Sequence, residues 1–489
     1  MAIIDEIRQT RLEKLNLLRK NGMDPYPATA RRDFSLQELS EKFEELSIKG
    51  EYVHVAGRVM SLRPQGGLIF FHLYDGTAKF QGLLKKEEID EKVFDLFSQA
   101  VDIGDFIEIG GMLFSTKRGE KTVQTKEWRM LSKSLLPLPE KWHGLQDFEE
   151  RMRKRYLDIL FNPEVKDLIE KRSKFWQSMR NFLLKEGFME VETPVLENTT
   201  GGADARPFKT HHNALDIDVY LRISAGELWQ KRLMVAGFPK TFEIGRIFRN
   251  EGMSAEHAQD YTQMEFYWAY ADYTKGMELA ERLYKHLAKE TFGTLLFEIG
   301  AHKIDLSAPW QKYDYADTIK KMTGIDIWSA DLKEIEDKLK ELKVNYDRKI
   351  WNMSRAIDTL WKFCRKQISG PGFLINVPVL MEPLAKRSAA NQNIVERFQI
   401  ILAGSEMGKG FSELNDPIDQ AGRFEDQAKM REAGDEEAQM NDKEFVEALE
   451  YGMPPACGFG ISERLFSFLA NKSIHEAQIF PLMRPKDGN

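Results

Sequence analysis

The chain has 489 residues, of which 42% are hydrophobic and 30% charged, and its formal net charge is −7. This length predicts two or three domains with a sizeable core, and the acidic balance argues against a nonspecific polyanion binder. No apolar run approaches the roughly 20 residues that cross a bilayer, and the acidic amino terminus does not look like a secretory signal. The only two cysteines, Cys364 and Cys457, lie too far apart in sequence for a disulfide framework or a Cys-x-x-Cys metal site. We therefore expect a soluble, cytoplasmic protein without a membrane segment.

The amino-terminal extension, residues 1–48, is predicted to be helical. Basic residues such as Arg8, Arg11, Lys14 and Lys20 share a helix-length segment with isoleucine and leucines. This spacing indicates a basic amphipathic helix. Such a helix could contact nucleic acid locally or simply present a solvated face, and the sequence leaves both interpretations open.

Residues 49–144 change to short β-rich runs that are separated by Gly-Gly and Asp-Gly turns. Five such runs, with a helical interlude at 85–99, predict a five-stranded barrel of the oligonucleotide-binding (OB) kind. A purely structural barrel is the alternative. Two prolines in the segment 135–141 predict a linker, and we place the domain boundary near residue 145.

Residues 145–489 predict an α+β domain in which an antiparallel β-sheet is flanked by helices. Strands and helices do not alternate one for one, which disfavours a parallel α/β sheet. Helical spacing covers 149–162 and 165–186, and two β-rich runs follow between 239 and 273. A charged helical stretch at about 330–368 predicts an inserted hairpin.

Three polar clusters in this domain carry the candidate chemistry. The first places Arg249, Glu251, Glu265 and Tyr267 on two neighbouring strands, whose alternation brings selected side chains to one face. An arginine there can hold a phosphate, and the carboxylates can receive amines or metal-bound water. A salt-bridged sheet surface is the simpler interpretation of this cluster alone.

The second cluster, 404–417, contains Glu406 and Glu413 beside small residues that would let a ligand approach the backbone. The third, 458–465, is a glycine-rich strand that leads into a helix, and ordinary strand–helix packing would also explain it. The three clusters in this order, behind a barrel and a linker, are more specific than any one of them.

Together they resemble the class II aminoacyl-tRNA synthetases. The three motifs of that class correspond to Gly187–Pro194, Phe248–Glu251 and Gly458–Arg464. Within the class, the chain resembles the lysyl-tRNA synthetases along nearly its whole length, for example at 201–215 and 447–455. The resemblance implies formation of lysyl-adenylate from ATP and lysine, and transfer of the lysyl group to the 3′ end of tRNA(Lys). It further implies Mg²⁺ as cofactor and a homodimer.

The resemblance also implies a role for each matching residue. The ATP-binding set is Arg249, Glu251, His257, Tyr261, Glu406 and Arg464, with Arg249 and Arg464 as the catalytic residues. The lysine-binding set is Gly202, Glu227, Glu265, Tyr267, Lys409, Phe411 and Glu413. The anticodon-binding set in the barrel is Phe70, Gln81 and Glu127. Carboxylates suit a lysine substrate because a desolvated ammonium must be paired again with acceptors.

The active site departs from the family at four places. Gln399 stands where the family usually has a carboxylate, so that Glu406 is the remaining metal ligand, and Lys409 stands where it has asparagine. The loop 224–227 is one residue longer, and the glycines of the third motif are displaced by one. We expect Lys409 to take over part of the work of a magnesium ion. The alternative is that it only pairs with Glu406 or Glu413.

Two other functions remain as alternatives. An aspartyl- or asparaginyl-type ligase shares the fold but would need cationic or amide partners where Glu265 and Glu413 stand. A catalytically silent paralogue that only binds tRNA is disfavoured by an intact catalytic set, which comprises Arg249, Glu251, Glu406 and Arg464.

Overall fold

The structure is a computed structural model that describes residues 2–139, 147–203, 205–252, 254–346, 351–432 and 438–486. The chain forms two compact units, Met1–Phe148 and Glu149–Asn489. The boundary predicted near residue 145 and the end of the predicted linker lie outside the described residues. Within the described ranges, no helix combines the length and apolar character needed to traverse a bilayer.

The first unit is a closed five-stranded barrel with helices packed against it. Its strands follow the order β1-β2-β3-β5-β4, in which β3 and β5 pair in parallel and the other neighbours are antiparallel. The predicted OB-type barrel is thereby confirmed. The strands are β1 (Tyr52–Gln65), β2 (Leu68–Tyr74), β3 (Lys79–Lys85), β4 (Phe106–Ser115) and β5 (Lys121–Ser132). The helices are α1 (Ala2–Lys20), α2 (Leu36–Glu41), α3 (Phe43–Lys49) and α4 (Glu91–Ala100), with a 3₁₀ turn at Lys86–Glu88.

The amphipathic pattern of α1 is explained by its docking on the barrel unit. Leu15 and Leu18 are buried. Among the basic residues, Arg11 donates hydrogen bonds to the Ile103 and Ser134 carbonyls at 3.1 and 3.0 Å, and Lys14 Nζ lies 2.6 Å from Asp102. Part of the basic face is therefore engaged within this unit.

The second unit is built on an eight-stranded sheet with helices on both faces. The sheet order is β14-β15-β16-β17-β18-β11-β10-β6, and only its two outermost pairs are parallel. The predicted antiparallel sheet flanked by helices is confirmed. The strands are β6 (Met189–Glu190), β7 (Leu196–Glu197), β8 (Lys209–His212), β9 (Ile217–Leu221), β10 (Lys240–Phe248), β11 (Asp260–Ala269), β12 (Leu296–Ile299), β13 (His302–Asp305), β14 (Gln311–Asp314), β15 (Gly372–Ile375), β16 (Arg397–Leu402), β17 (Ser405–Ser412) and β18 (Ala456–Ser462).

The helices of this unit divide its apolar side chains between two cores, one on each face of the sheet. The helices are α5 (Phe148–Arg153), α6 (Arg155–Phe161), α7 (Pro163–Lys185), α8 (Glu227–Val235), α9 (Tyr273–Phe292), α10 (Tyr315–Thr323), α11 (Leu332–Glu341), α12 (Met353–Arg365), α13 (Pro417–Glu432), α14 (Lys443–Glu450), α15 (Arg464–Leu469) and α16 (Ile474–Ala477), with a 3₁₀ turn at Val379–Met381. Because neighbouring residues of a strand face opposite sides, Phe266 of β11 joins the core under α7 and α9, whereas Tyr267 joins the core under α8 and α12. This second face carries the site.

The region at about 330–368 that was predicted as an inserted hairpin contains α11 and α12. Ile335, Leu339, Leu360 and Trp361 are buried in the second core. A capping box at Asp331 and Glu334 begins α11, and the Asn352 side chain caps α12. The insertion is therefore packed against the domain that carries the site.

Candidate active site

One cavity of about 500 Å³ brings together all the residues predicted to bind ATP or lysine. It opens over three adjacent strands, β17, β18 and β11. The predicted residues that line it are Gly202, Glu227, Arg249, Glu251, His257, Tyr261, Glu265, Tyr267, Glu406, Lys409, Phe411, Glu413 and Arg464. Gln399 also lines it.

The floor of the cavity is set by strand register. Gly458 of β18 lies between Phe411 and Tyr267 on the flanking strands, and Gly460 lies between Lys409 and Glu265. A Cβ at Gly458 would stand 2.2 Å from Glu413 Oε1 and 2.7 Å from the Tyr267 ring. Glycine is required at this position because the two neighbouring strands send their side chains across it.

Glu265 is held rigidly at one end of this floor. Its Oε1 accepts the Ala225 backbone N–H at 2.9 Å and the Gln263 side-chain amide, and its Oε2 accepts the Tyr267 hydroxyl at 3.2 Å. Burial and the neighbouring Glu227 carboxylate raise the pKa of Glu265 to about 7. The loop at 224–227 thus supplies a backbone donor to the site.

Glu413 is fully buried beside the cavity, and its Oε1 has no hydrogen-bond partner among the described residues. Burial raises the pKa of Glu413 to about 8, against the opposing effect of the Lys231 ammonium 2.6 Å away. An unpartnered buried carboxylate oxygen is costly. This atom is the clearest sign that a cationic donor belongs in the cavity.

Sequence reasoning did not find Lys231. Its Nζ contacts Glu227 at 2.9 Å as well as Glu413, and its side chain is only 1% exposed. The one local signal was its i, i+4 spacing from Glu227 on α8, which more often marks an exposed helix pair.

The opposite end of the cavity is cationic and aromatic. The Arg249 guanidinium lies 5.9 Å from the centroid of the Tyr261 ring and donates to the Ile223 carbonyl at 3.2 Å. Arg464 donates to the Glu406 backbone carbonyl at 3.4 Å and pairs with the Glu256 carboxylate. Two guanidinium groups and an aromatic ring suit a nucleotide with a polyphosphate tail.

The loop between β10 and β11 carries Arg249 and Glu251, which were wrongly predicted to lie on a strand, and also His257. His257 Nδ1 is 2.8 Å from the Ser254 hydroxyl, and the Glu251 backbone carbonyl accepts the Gln259 side-chain amide at 3.3 Å. Both residues line the cavity. The loop therefore adds a carboxylate and an imidazole side chain to this end of the cavity.

The residues present fit a magnesium ion only as a partner of bound phosphates. Among the described residues, no group of three or more acidic, histidine or cysteine side chains could hold a metal alone. Glu406 lines the cavity, and its Oε1 accepts the Trp361 indole N–H at 2.9 Å, with Arg365 Nε 3.5 Å away. Mg²⁺ commonly takes one or two protein carboxylates and completes its shell with phosphate oxygens and water. Glu406 meets that requirement.

Lys409 pairs with a carboxylate that the sequence did not suggest. Its Nζ is 3.2 Å from Glu382, and Arg397 Nε approaches the same carboxylate at 3.2 Å. Gln399 faces Lys409 across the strands and accepts a 2.6 Å hydrogen bond from Arg397. The alternative partners, Glu406 and Glu413, make their closest side-chain contacts with other residues, and the Lys409 ammonium remains at the cavity wall.

On the barrel, Phe70 and Gln81 share one outer face. Gln81 lies opposite His72, two residues from Phe70, and its amide donates to Thr122 at 2.8 Å. Phe70 is half-buried. The half-buried ring offers a surface for a stacked base, whereas Gln81 is only 6% exposed and its amide is already bonded to Thr122.

Glu127 does not contact this pair in the part of the chain that the structure describes. It accepts from Tyr52 at 3.1 Å and lies 3.0 Å from His54 Nε2, both on β1. Another acid, Glu120, is 2.9 Å from His72 Nε2 and was missed because it sits at a turn. Glu120 is therefore a carboxylate on the face of Phe70 and Gln81.

Comparison with known proteins gives one family match for each of the two units. Residues 53–131 match the family model for the OB-fold nucleic acid binding domain, and residues 147–484 match that for tRNA synthetases class II (D, K and N). The lysine–tRNA ligase of Thermotoga maritima is 44% identical over 99% of this chain and 97% of its own length. Those of Pelotomaculum thermopropionicum and Halalkalibacterium halodurans are 44% and 43% identical over 99% of this chain and 96% and 98% of theirs. The chain therefore belongs to the class II tRNA synthetases and, among them, to the lysine–tRNA ligase family.

Proposed function

We propose that the chain is a lysine–tRNA ligase that joins lysine to ATP as lysyl-adenylate and passes the lysyl group to the 3′ end of tRNA(Lys). The single observation that carries the choice of lysine is the unpartnered, buried Oε1 of Glu413 at the cavity. An aspartyl- or asparaginyl-type substrate would bring no ammonium to this atom with its side chain. The full-length similarity to lysine–tRNA ligases supports the same conclusion.

Lysine binds with its side-chain ammonium between Glu413 and Glu265 in this proposal. The Tyr267 hydroxyl adds a polar contact, and the Phe411 ring lines the path of the aliphatic stem. Glu227 and Gly202 receive the α-amino end. One observation supports these assignments: the residues named all line the same cavity as the three carboxylates.

ATP binds at the cationic end, with Tyr261 stacking on the adenine and Glu251 meeting its edge. His257 and Arg464 hold the polyphosphate tail, and Arg249 holds the α-phosphate. The lysine carboxylate attacks the α-phosphorus, the bond to the bridging oxygen breaks, and pyrophosphate leaves with its electron pair. The step needs no general base because the attacking carboxylate is already ionised. Arg249 and Arg464 contribute by neutralising charge and fixing the geometry.

Glu406 would hold magnesium together with the phosphate oxygens, and the metal would supply further charge neutralisation when it is bound. Lys409, at the same wall, is positioned to meet the lysine carboxylate or the α-phosphate. In this proposal Lys409 performs part of the charge neutralisation, as expected from Gln399.

The barrel binds the anticodon through Phe70 and Gln81 in this proposal, by stacking and by an amide contact to a base edge. Glu120 belongs to the same surface because it contacts His72. Glu127 stays an outlying candidate near β1. The proposed location is the cytoplasm, where tRNA and ATP are available.

We also propose a homodimer. Strand β6, in the first motif, pairs with β10 over only two residues. The nearby apolar residues Met189 and Leu196 are 43% and 48% exposed. A short strand edge with exposed apolar residues favours association with a second copy. Light scattering coupled to size exclusion tests this, and a monomer at micromolar concentration would contradict it.

Pyrophosphate exchange with each of the twenty amino acids, followed by charging of tRNA(Lys), tests the proposed reaction. Lysine should support exchange far better than the others. Exchange with aspartate or asparagine would overturn the assignment of substrate, and no exchange with any amino acid would indicate a tRNA-binding paralogue.

A further inference from the structure

Lys231 is a buried ammonium at the amino-acid end of the cavity. Helix α8 places it four residues after Glu227, and its side chain is 1% exposed. Its Nζ lies 2.9 Å from Glu227 Oε1 and 2.6 Å from Glu413 Oε2. One cation therefore joins the two carboxylates that we assign to opposite ends of the amino acid.

Aromatic rings close the space around this ammonium. Its Nζ is 5.4 Å from the centroid of Phe411 and 5.9 Å from those of Tyr267 and Phe445. Phe411 and Tyr267 also line the cavity. Lys231 thus lies behind the wall and acts on a ligand through the residues that form it.

The buried charges at this end do not balance without a ligand. Glu227, Glu265 and Glu413 can supply three negative charges, and Lys231 supplies one positive charge. The remainder of two matches the two ammonium groups of a lysine molecule. Glu382 pairs with both Lys409 and Arg397, so this neighbouring group carries one net positive charge, which the carboxylate of a lysine substrate would balance.

We propose that Lys231 is a positioning residue for amino-acid recognition, which holds Glu227 and Glu413 as a pair and sets the net charge of the pocket for a substrate with two ammonium groups. The inference rests on the proposed function. Without this cation, two buried carboxylates would lose their shared partner, and proton uptake would relieve their repulsion. The substrate would then lack one charged acceptor.

The other ionisable groups around Glu413 are fixed by different elements. The groups that face it are Glu227 and Lys231 from α8, Glu265 and Tyr267 from β11, and Cys457 from β18. Lys231 is the only cation in this set. Replacing Lys231 by a neutral residue therefore removes the positive charge of this set, while every residue that lines the cavity is kept.

Lys231→Met tests the proposal because methionine keeps an unbranched apolar stem and removes the charge. Lysine-dependent pyrophosphate exchange should show a lysine KM raised at least about tenfold, the effect of weakening one charge-assisted hydrogen bond, with the ATP KM unchanged. The acid limb of lysine kcat/KM should also move to higher pH. A merely structural role would lower the melting temperature and leave both readouts as in the parent chain.

Lys133→Met is a matched control. Lys133 is equally buried and bridges Asp102 and Asp105 at 2.6 and 2.8 Å, but it belongs to the barrel unit. This change should lower the melting temperature and leave the lysine KM and its pH profile unchanged. An equal rise of lysine KM in both variants would show a general effect of destabilisation and overturn the proposal.

Lys231→Arg retains the charge and should restore the pH profile. If Lys231→Met does not fold, the test uses the rise in melting temperature that added lysine produces in Lys231→Arg. A rise close to that of the parent chain supports the proposal, and loss of the rise overturns it. The parent chain separates the two levels of inference. Failure of the parent to exchange pyrophosphate with lysine would overturn the proposed function, whereas normal exchange with an unaffected Lys231→Met would overturn only the role of Lys231.

Discussion

At the scale of single residues, the proposed choice of lysine depends on two acids whose surroundings differ. Glu265 accepts three hydrogen bonds, whereas one oxygen of Glu413 accepts none. Glu265 is already satisfied by protein groups, whereas Glu413 pairs with Lys231 through Oε2 and leaves Oε1 to accept a hydrogen bond from a ligand. Glu413 should therefore carry more of the discrimination for an ammonium group.

We expect Glu413→Gln to raise the lysine KM strongly, because the ammonium loses a charge-assisted hydrogen bond worth about 1.5–3 kcal/mol. The ATP KM should change little. Glu243→Gln is the control, since Glu243 is also a buried acid but pairs with Arg222. Lysine activation at the parent rate by Glu413→Gln would show that the pocket has been assigned wrongly.

The raised pKa values of Glu265 and Glu413 predict that lysine binding depends on pH. Lysine needs ionised acceptors, so its KM should fall as the pH rises through about 7 to 8. Saturation kinetics between pH 6 and 8.5 would measure this, with the ATP KM as reference. A lysine KM that stays flat over this range would contradict the titration of these acids.

The same two acids predict the pH dependence of stability. Their folded-state pKa values exceed that of an unfolded glutamate, so the folded chain binds more protons between about pH 4.5 and 8. Their contribution is present at lower pH and is lost as the pH rises through 7 to 8. The stabilisation that lysine produces in a melting experiment should increase over that interval.

At the scale of elements, the β16–β17 pair brings a neutral amide and an ammonium group to the cavity. Gln399 and Lys409 face each other across these strands. Lys409→Asn should raise the magnesium concentration needed for half-maximal exchange, because an ammonium no longer neutralises the developing charge. Glu382 keeps Arg397 as a partner, which protects the fold.

Magnesium titrations of pyrophosphate exchange at fixed ATP would measure the effect of Lys409→Asn. Lys340→Asn is a useful control, since Lys340 is an exposed lysine that pairs with Asp337 on α11. An unchanged rate and magnesium dependence in Lys409→Asn would show that Lys409 only pairs with Glu382.

The barrel strands β2 and β3 should act on tRNA and not on adenylation. Phe70→Ala removes a stacking surface worth about 1–3 kcal/mol per base, so tRNA charging should weaken while pyrophosphate exchange stays intact. Glu120→Gln should also weaken charging. Glu127→Gln is the comparison acid away from that face. Equal loss of both activities in Phe70→Ala would identify Phe70 as a core residue of the barrel.

At the scale of the whole molecule, separate cores predict separate unfolding of the two units. Lys133 is fully buried and pairs with Asp105, so Lys133→Met leaves a buried acid without its cation, at a cost of about 3–5 kcal/mol. Calorimetry of the parent chain should show two transitions. In Lys133→Met, only the transition of the barrel unit should move to a lower temperature. A single transition that shifts as a whole would indicate that the units unfold together.

Much of this architecture could be predicted from the sequence because it depends on local patterns. Strand alternation placed Glu265 and Tyr267 on one face, and turn residues marked the barrel strands, whereas Arg249 lies just beyond the end of β10 and not on the predicted strand. Lys231 could not be found in this way, since a lysine on a helix usually faces water. Likewise, the Lys409–Glu382 pair joins residues 27 apart in the chain, and spacing alone gives no hint of such contacts.

The glycine at position 458 has a consequence for how this chain can change over generations. Even the methyl group of alanine would collide with Glu413 and Tyr267, whereas the same methyl group at Gly422, in α13, meets no atom within 4 Å. In a growth-based scan of all single codon changes, position 458 should tolerate glycine alone, and position 422 should accept many residues. A change of amino-acid specificity therefore cannot start with a substitution at Gly458. It must start with substitutions on the two neighbouring strands.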